Sequence, residues 1–264
     1  MAGGSERLRF RGIVEYDGTE YSGFQVQPSV RTVQGEVESA LKRVTRGCLD
    51  EQPVRVVGAG RTDAGVHSIG QVFHFDSRWC RSRFELQRAL NAVLPRDIAI
   101  RELGVAPEGF HARYSAQSRN YVYSVLNRET RSPVRERFAH RVGGVIDVDA
   151  MNGAVACLVG TRDCAAFGQP PSGSVTIRTI YRALWRRTGD DLEFDVSANA
   201  FLRKMIRRLV GTLLLVGVGS LESDEFESIL ASKDIGRSAP PAPACGLCLV
   251  RVEYENQVGV LGKE

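Results

Sequence analysis

The sequence lacks the features that mark membrane and secreted proteins. Its most apolar run, residues 209–218, is about half as long as the ~20 residues that a membrane-spanning helix requires. The first six residues, MAGGSE, contain no apolar stretch of the kind found in a signal peptide. We therefore expect a cytoplasmic protein that does not associate with membranes.

Cysteines are few and form no recognisable pattern. Six occur, at positions 48, 80, 157, 164, 245 and 248. The last two form a C-x-x-C pair, but no second pair accompanies them to complete a zinc site. A strand-like run also begins at this pair. We predict neither a disulfide framework nor a metal or redox role for these residues.

The excess of positive charge is small. The 35 basic and 31 acidic residues give a net charge of +4, so a polyanionic partner must be argued from local clusters. Hydrophobic residues make up 43% and charged residues 25% of the 264, which is typical of a soluble globular protein. This length is enough for one large domain or two small ones.

A glycine-rich loop, residues 57–68 (VGAGRTDAGVHS), separates two strand-like runs at 53–57 and 71–75. Glycine permits close backbone approaches that other residues forbid. The loop holds one carboxylate, Asp63, near the guanidinium of Arg61 and the imidazole of His67. A carboxylate placed on such a loop is a candidate functional group.

A glycine-rich loop of this kind has three other possible interpretations. A dinucleotide-binding loop requires a different glycine spacing and a following helix. Asp63 and His67 are too few to make a metal site, and no further ligand cluster accompanies them. A tight turn in which Asp63 caps a backbone amide remains open.

The periodicity of the chain predicts an α+β fold in two lobes. The first half has the order β-α-β-β-α-β, which is the ferredoxin-like order: strands at 9–16, 54–57, 71–75 and 98–105, and helices at 32–45 and after the Ser82–Glu85 capping box. For the second half we predict strands at 119–125, 177–187, 192–198 and 247–254, and helices at 147–159 and 223–230. The boundary is placed at 107, giving lobes 1–107 and 108–264.

A basic segment, FLRKMIRRLVG at residues 201–211, is predicted to be helical. Its apolar residues repeat at helical spacing, which leaves Arg203, Lys204, Arg207 and Arg208 on the opposite side. These four positive charges repel each other unless an anion lies near. A solvated helical face is the simpler alternative.

Six segments resemble the tRNA pseudouridine synthase A family. GRTDAGVH at 60–67 is similar to the signature loop of that family, and RNYVY at 119–123 is similar to its basic-x-Tyr-x-Tyr segment. FLRKMIR at 201–207 and GLCL at 246–249 are similar to two further segments, and DCAAFG at 163–168 is similar to a short strand of the family. YSGFQ at 21–25 is also similar to a family segment, and its residues Tyr21 and Phe24 form either a surface turn or a contact with a nucleotide base. The resemblance extends over roughly residues 9–254.

The resemblance implies roles for particular residues. Asp63 is the catalytic aspartate, Arg203 pairs with it, and Tyr121 contacts the target base. Leu247 lines the site, and Arg61 is suited to hold a phosphate or to fill the gap left by the base. Arg207 and Arg208 are expected to contact tRNA phosphates.

The resemblance also implies the reaction and the partners. The expected reaction converts uridine to pseudouridine at positions 38, 39 and 40 of the tRNA anticodon arm. It needs no cofactor or metal, since no atoms are added. The family implies a homodimer of subunits with two ferredoxin-like lobes, antiparallel sheets and an active-site cleft between the lobes. Two alternatives remain: a non-catalytic RNA-binding protein, and a metal-dependent hydrolase using Asp63 and His67.

Overall fold

A computed structural model describes residues 7–46 and 54–255. Within them the chain divides into two compact units. Unit 1 comprises residues up to 117 together with the strand residues from 249, and unit 2 comprises residues 118–248. This division differs from the predicted boundary at 107, because residues 110–116 pack on unit 1 and the C-terminal strand returns to it.

Unit 1 is an antiparallel sheet with two helices. Its elements are β1 (Leu8–Tyr16), α1 (Val33–Val44), β2 (Val57–Gly58), β3 (His67–Ser77), α2 (Arg83–Val93) and β4 (Ile98–Val105). Strand β1 lies between β4 and β3 and is antiparallel to both, while β2 pairs with β3. The last strand, β10 (Leu247–Tyr254), contributes residues from 249 onwards beside β3. The predicted order of elements is confirmed here.

Both helices of unit 1 begin where the sequence predicts. Thr32 caps α1 through its side chain, which accepts a hydrogen bond from the amide of Gly35. Ser82 and Glu85 form the reciprocal capping box of α2. The predicted apolar faces pack into one core, in which Leu41, Leu86 and Leu90 are fully buried.

Unit 2 also combines a sheet with helices. Its elements are β5 (Ala116–Asn127), β6 (His140–Val142), α3 (Val148–Val155), β7 (Gly160–Asp163), β8 (Ile177–Thr188), β9 (Asp191–Ala198), α4 (Met205–Gly217) and α5 (Ser223–Ser232). The strand order is β5-β9-β8-β7 with antiparallel neighbours, and β6 runs parallel to β5. The predicted α+β class with mostly antiparallel pairing is therefore confirmed.

Two local predictions in unit 2 are wrong. Residues 163–168 were predicted as a strand, but β7 ends at Asp163 and Ala165–Phe167 forms a 3-10 turn. The Asp163 carboxylate accepts the amide of Ala165 at 3.2 Å, which favours a turn over an extended chain. The basic segment was predicted to be helical from residue 201, but α4 begins at Met205.

Two further observations on the described residues concern membrane-spanning helices and disulfides. Among residues 7–46 and 54–255, no helix combines the length and the apolar character that crossing a bilayer requires. Over those same residues, the five cysteines form no disulfide.

Candidate active site

The loop that carries Asp63 connects β2 to β3 in unit 1. Asp63 is half-buried and Arg61 is exposed. The carbonyl of Thr62 accepts a hydrogen bond from the amide of Phe24 at 3.2 Å, and the amide of Gly65 donates to the carbonyl of Tyr21 at 3.2 Å. The backbone on both sides of Asp63 is thus tied to one segment that lies about 40 residues earlier in the chain. This arrangement presents the carboxylate from a fixed backbone.

Two further contacts hold the same loop. The hydroxyls of Tyr16 and Thr62 are hydrogen-bonded at 2.9 Å in a buried position. Gly23 approaches so closely that a β-carbon there would lie 2.5 Å from the carbonyl oxygen of Thr62, and its φ is +91°. Only glycine fits both the space and the backbone conformation. Segment 21–24 is therefore a support for the Asp63 loop.

The aromatic side chains of this supporting segment do not face solvent. The sequence left open whether Tyr21 and Phe24 form a surface turn or meet a nucleotide base. Each is only 3% exposed, and both belong to the core of unit 1. Their rings are thus packed against protein and are not available to stack on a base.

Tyr21 is fixed by a charged network. Its hydroxyl donates to Asp97 at 2.6 Å, and the guanidinium of Arg31 lies 4.3 Å from its ring centroid. Arg31 also pairs with Asp97 at 3.2 Å and with Glu36 at 2.8 Å. Burial, together with the hydrogen bond to Asp97, raises the pKa of Tyr21 far above its usual value. Tyr21 is therefore a neutral hydrogen-bond donor in this network.

His67 serves the backbone of the same region. It is buried, and its Nδ1 accepts the amide proton of Gly18 at 3.0 Å. The Asp17 carboxylate lies 3.2 Å from the same nitrogen. The hydrogen bond from the Gly18 amide gives His67 a structural role. In the described part of the chain no three potential ligands cluster to hold a metal.

In unit 2, Tyr121 lies on β5 and is 7% exposed. Its ring meets that of Phe201 edge to face, with centroids 5.3 Å apart and planes at 86°. Tyr123, two residues on, is fully buried and donates to the carbonyl of Pro243 at 2.8 Å. Tyr121, Tyr123 and Val125 alternate along β5, and all three side chains are buried.

Arg203 lies just before α4 and is exposed. Its backbone pairs with Gln169 through an isolated bridge, and its amide donates to the carbonyl of Gln169 at 2.9 Å. Lys204 then adopts a left-handed conformation with φ of +61°, which turns the chain into the helix. Arg203 is therefore presented from a turn, next to the Phe201 that packs on Tyr121.

Arg207 and Arg208 are half-buried on the first turn of α4. Arg207 Nε donates to the carbonyl of Ala242 at 2.6 Å. Arg208 Nη1 donates to the hydroxyl of Ser238 and to the carbonyl of Ala239, both at 3.1 Å. Both side chains thus anchor segment 235–243 onto α4. Their predicted contact with tRNA phosphates stays a prediction.

Leu247 is 6% exposed and is the first residue of β10. A 3-10 turn, Ala244–Gly246, leads into it. Its predicted place at the site also stays a prediction. Within unit 1 the structure thus places Arg61 and Asp63 on one loop, and within unit 2 it brings Tyr121 against the segment that carries Arg203.

Comparison with known proteins identifies the family. A sequence model described as tRNA pseudouridine synthase matches residues 13–115 and 154–255, which is well over half of the chain. The chain belongs to the tRNA pseudouridine synthase family. The family and enzyme class predicted from the sequence are therefore confirmed.

Individual members of this family match the chain over nearly its whole length. It is 42% identical to tRNA pseudouridine synthase A of Geobacillus kaustophilus, covering 94% of this chain and 95% of the relative. It is 37% identical to tRNA pseudouridine synthase A of Bacillus subtilis, covering 94% and 100%. A chain in a crystal structure of an archaeal box H/ACA sRNP complex is 15% identical over 78% of this chain and 43% of its own, with a TM-score of 0.33.

Sequence reasoning about this family member missed the network around Tyr21. Neither Asp97 nor Arg31 belongs to a recognisable sequence motif. Asp97 lies 76 residues from Tyr21 and 66 residues from Arg31 along the chain. No local spacing signals such a contact. The sequence draws attention to this segment through Gly23, which lies between the aromatic residues Tyr21 and Phe24. It does not indicate that the segment supports the Asp63 loop.

Proposed function

We propose that this chain converts uridine to pseudouridine in tRNA, at positions 38, 39 and 40 of the anticodon arm. The observation that carries the proposal is Asp63, a half-buried carboxylate on a loop whose flanking residues are hydrogen-bonded in place. Membership of the tRNA pseudouridine synthase family supports the substrate and the reaction. The match of residues 60–67 to the family loop supports the choice of Asp63.

The main requirement of the proposed reaction is a carboxylate positioned beside the sugar of the target nucleotide. The base must leave C1′, turn, and rejoin the sugar through C5, so no atom is added and no cofactor is consumed. Breaking the glycosidic bond develops positive charge on the sugar. Ionised Asp63 can attack C1′ as a nucleophile or remove a nearby sugar proton as a base. Both roles fit a fixed carboxylate.

The remaining site residues have proposed roles that rest on the family resemblance. Arg203 pairs with Asp63. Tyr121 contacts the target base, and its packing against Phe201 supports a fixed ring position. Leu247 lines the site, and Arg61 holds a phosphate or fills the space that the flipped base leaves. A uridine within a stem must leave the helix to reach these groups, at a cost of a few kcal/mol.

Three wider features are also proposed. We propose that the units fold as ferredoxin-like lobes with the active-site cleft between them, which the β-α-β-β-α-β order of unit 1 supports. The cytoplasm is the proposed location. A homodimer is proposed on resemblance alone, and light scattering from an active preparation tests it. A monomeric mass at micromolar concentration, with full activity, would exclude the dimer.

The decisive experiment is pseudouridine formation on an unmodified tRNA transcript by wild type and Asp63→Asn. The amide keeps the shape but is neither nucleophile nor base, so turnover should be undetectable while filter binding is retained. Asp147→Asn is the matched control. It makes the same chemical change at the cap of α3, where Asp147 accepts the amide of Ala150 at 2.9 Å and asparagine caps equally well. It should turn over normally.

The outcomes separate the alternatives. Turnover near the wild-type rate in Asp63→Asn would remove Asp63 from the mechanism. Joint loss of folding and binding would show that Asp63 is only a turn-capping residue. Wild type that binds the transcript but forms no pseudouridine would favour a non-catalytic RNA-binding protein.

A further inference from the structure

One exposed aromatic side chain of unit 1 is held in a fixed pose. Tyr114 is 78% exposed, more than any other aromatic residue in the described part of the chain. Its ring stacks on the imidazole of His111, with centroids 4.3 Å apart and planes 26° apart. The phenol ring therefore rests on a partner while most of its surface faces solvent.

The turn around Tyr114 is fixed by His111. Nδ1 of His111 accepts the amide protons of Arg113 at 3.2 Å and of Tyr114 at 3.1 Å. The amide of His111 donates to the Ser115 hydroxyl at 3.0 Å. Burial, followed by the nearby charge of Arg9, lowers the pKa of His111, which keeps Nδ1 available as an acceptor at neutral pH.

The turn is also anchored to the sheet of unit 1. Arg9 Nη1 donates to the carbonyl of Phe110 at 2.9 Å. On the next residues, the hydroxyl of Tyr254 donates to the carbonyl of Ala112 at 2.7 Å, and the amide of Ala112 donates to Nδ1 of His74 at 3.1 Å. A ligand that meets the Tyr114 ring consequently meets a preorganised surface, and little ordering is left to oppose binding.

Guanidinium groups lie near the aromatic rings of this region. Arg113 lies 5.8 Å from the centroid of the Tyr114 ring. Arg11 lies 5.2 Å from the ring of Phe110 and 5.0 Å from that of Tyr254. Arg9 completes the group and pairs with Asp76 at 2.7 Å. An aromatic ring among arginines is the combination with which proteins hold unpaired bases and their phosphates.

We infer that Tyr114 is a stacking platform for an unpaired nucleobase of the RNA substrate, and that Arg113 contacts the adjoining phosphate. The inference rests on the proposed function, which supplies the RNA partner. It adds a substrate contact outside the residues that the family resemblance identifies. The contact serves binding and not the chemical step, because it lies on a separate turn from the Asp63 loop.

The test compares Tyr114→Ala, Tyr114→Phe and Tyr114→Trp in filter binding to an unmodified tRNA transcript and in steady-state turnover. Losing the stack should weaken binding about 5- to 150-fold, the equivalent of ~1–3 kcal/mol per stacked base. KM should rise by a similar factor while kcat at saturating tRNA is kept. Phenylalanine and tryptophan should restore affinity, because each supplies an aromatic face.

Phe84→Ala is the matched control. Phe84 is 59% exposed on α2 and has the guanidinium of Arg83 4.8 Å from its ring centroid, but no ring stack is recorded for it in the described structure. Its loss should leave tRNA affinity unchanged. As a direct signal, tryptophan fluorescence should be quenched by tRNA in Tyr114→Trp and not in Phe84→Trp.

Heparin, a polyanion without bases, separates stacking from charge. Tyr114→Ala should bind heparin as wild type does. Equal losses toward heparin and tRNA, or unchanged tRNA affinity, would overturn the inference while wild-type turnover leaves the proposed function standing. A changed oligomeric state in Tyr114→Ala, with unchanged tRNA affinity, would assign the ring to self-association and also overturn it. If wild type forms no pseudouridine, the proposed function is wrong. That result is distinct from the outcomes that test Tyr114.

Discussion

The residues on either side of Asp63 fix the position of its backbone. Thr62 and Gly65 are both hydrogen-bonded to segment 21–24, so the backbone cannot shift to accommodate a longer residue. Gly23 packs closely against the carbonyl of Thr62, which leaves no space for the loop to move towards segment 21–24. The position of the Asp63 carboxylate therefore depends on the residues that hold its loop.

This leads to a prediction for Asp63→Glu, which keeps the charge and moves it by one methylene. A displacement of ~1 Å can cost ~10²-fold in rate, and the fixed loop offers no compensating movement. We expect turnover on a tRNA transcript to fall by about that factor, with binding retained. Far-ultraviolet circular dichroism checks that the variant folds. Turnover within a few-fold of wild type would mean that the loop is less rigid than its hydrogen bonds indicate.

The sequence could single out Asp63 as a candidate functional residue, but it could not predict the contacts around the Asp63 loop. A lone carboxylate among three glycines is visible in the printed chain. The role of Asp97 is not, because it acts through Tyr21 at a separation of 76 residues. Contacts of that range depend on strand pairing, and no local pattern encodes them.

At the scale of elements, helix α4 shows where periodicity misleads. Phe201 and Met205 continue the apolar spacing of the helix, so the first turn was predicted to begin at 201. Instead, the left-handed conformation of Lys204 and the bridge from Arg203 to Gln169 keep residues 201–204 out of the helix. Residues 163–168 resemble a strand of the family, but Ala165–Phe167 forms a 3-10 turn.

Helix α4 gives a prediction about Arg207 and Arg208, whose side chains anchor segment 235–243. If they also contact phosphates, Arg207→Ala and Arg208→Ala should each weaken tRNA binding. Each should also reduce the slope of log affinity against log salt by about 0.7 to 0.9, the effect of one lost contact. Filter binding at several salt concentrations measures this.

Thr212→Val provides the control for that experiment. The Thr212 hydroxyl accepts the amide of Ala239 at 3.1 Å, so its removal loosens the same segment without changing charge. Its salt slope should equal that of wild type. Arg208→Lys should keep the slope, because the charge remains. Unchanged slopes in both alanine variants would leave the two arginines with a purely structural role.

At the scale of the molecule, the α+β class and most elements followed from alternation and helical spacing, because each element carries its own apolar face. The division into units did not. Phe110 and Ala112 are buried in contacts that tie residues 110–116 to unit 1. A Pro-Glu-Gly turn at 107–109 looks like a linker in sequence, yet the chain continues to pack on the same unit beyond it.

The stability of the whole molecule should depend on pH through the same region. Burial, followed by the charges of Arg9 and His111, lowers the pKa of His74 from 6.5 to about 4. Since the folded pKa is the lower one, protonation favours the unfolded chain. The stabilisation is complete above pH 6.5 and is lost as the pH falls towards about 4. His111 and His140, whose pKa values are also lowered by burial, act in the same direction.

Urea unfolding midpoints measured from pH 7.5 to 4 test this expectation. The wild-type midpoint should fall steadily below pH 6.5. His74→Asn keeps a side-chain acceptor for the Ala112 amide but does not titrate, so its midpoint should be lower at pH 7.5 and fall less steeply. The Arg9 guanidinium, hydrogen-bonded to Asp76, lowers the pKa of that carboxyl, so its contribution is lost only below pH ~3.8 and does not confuse the window. Parallel curves for the two proteins would show that His74 titrates normally and that the turn at Ala112 does not depend on its neutral form.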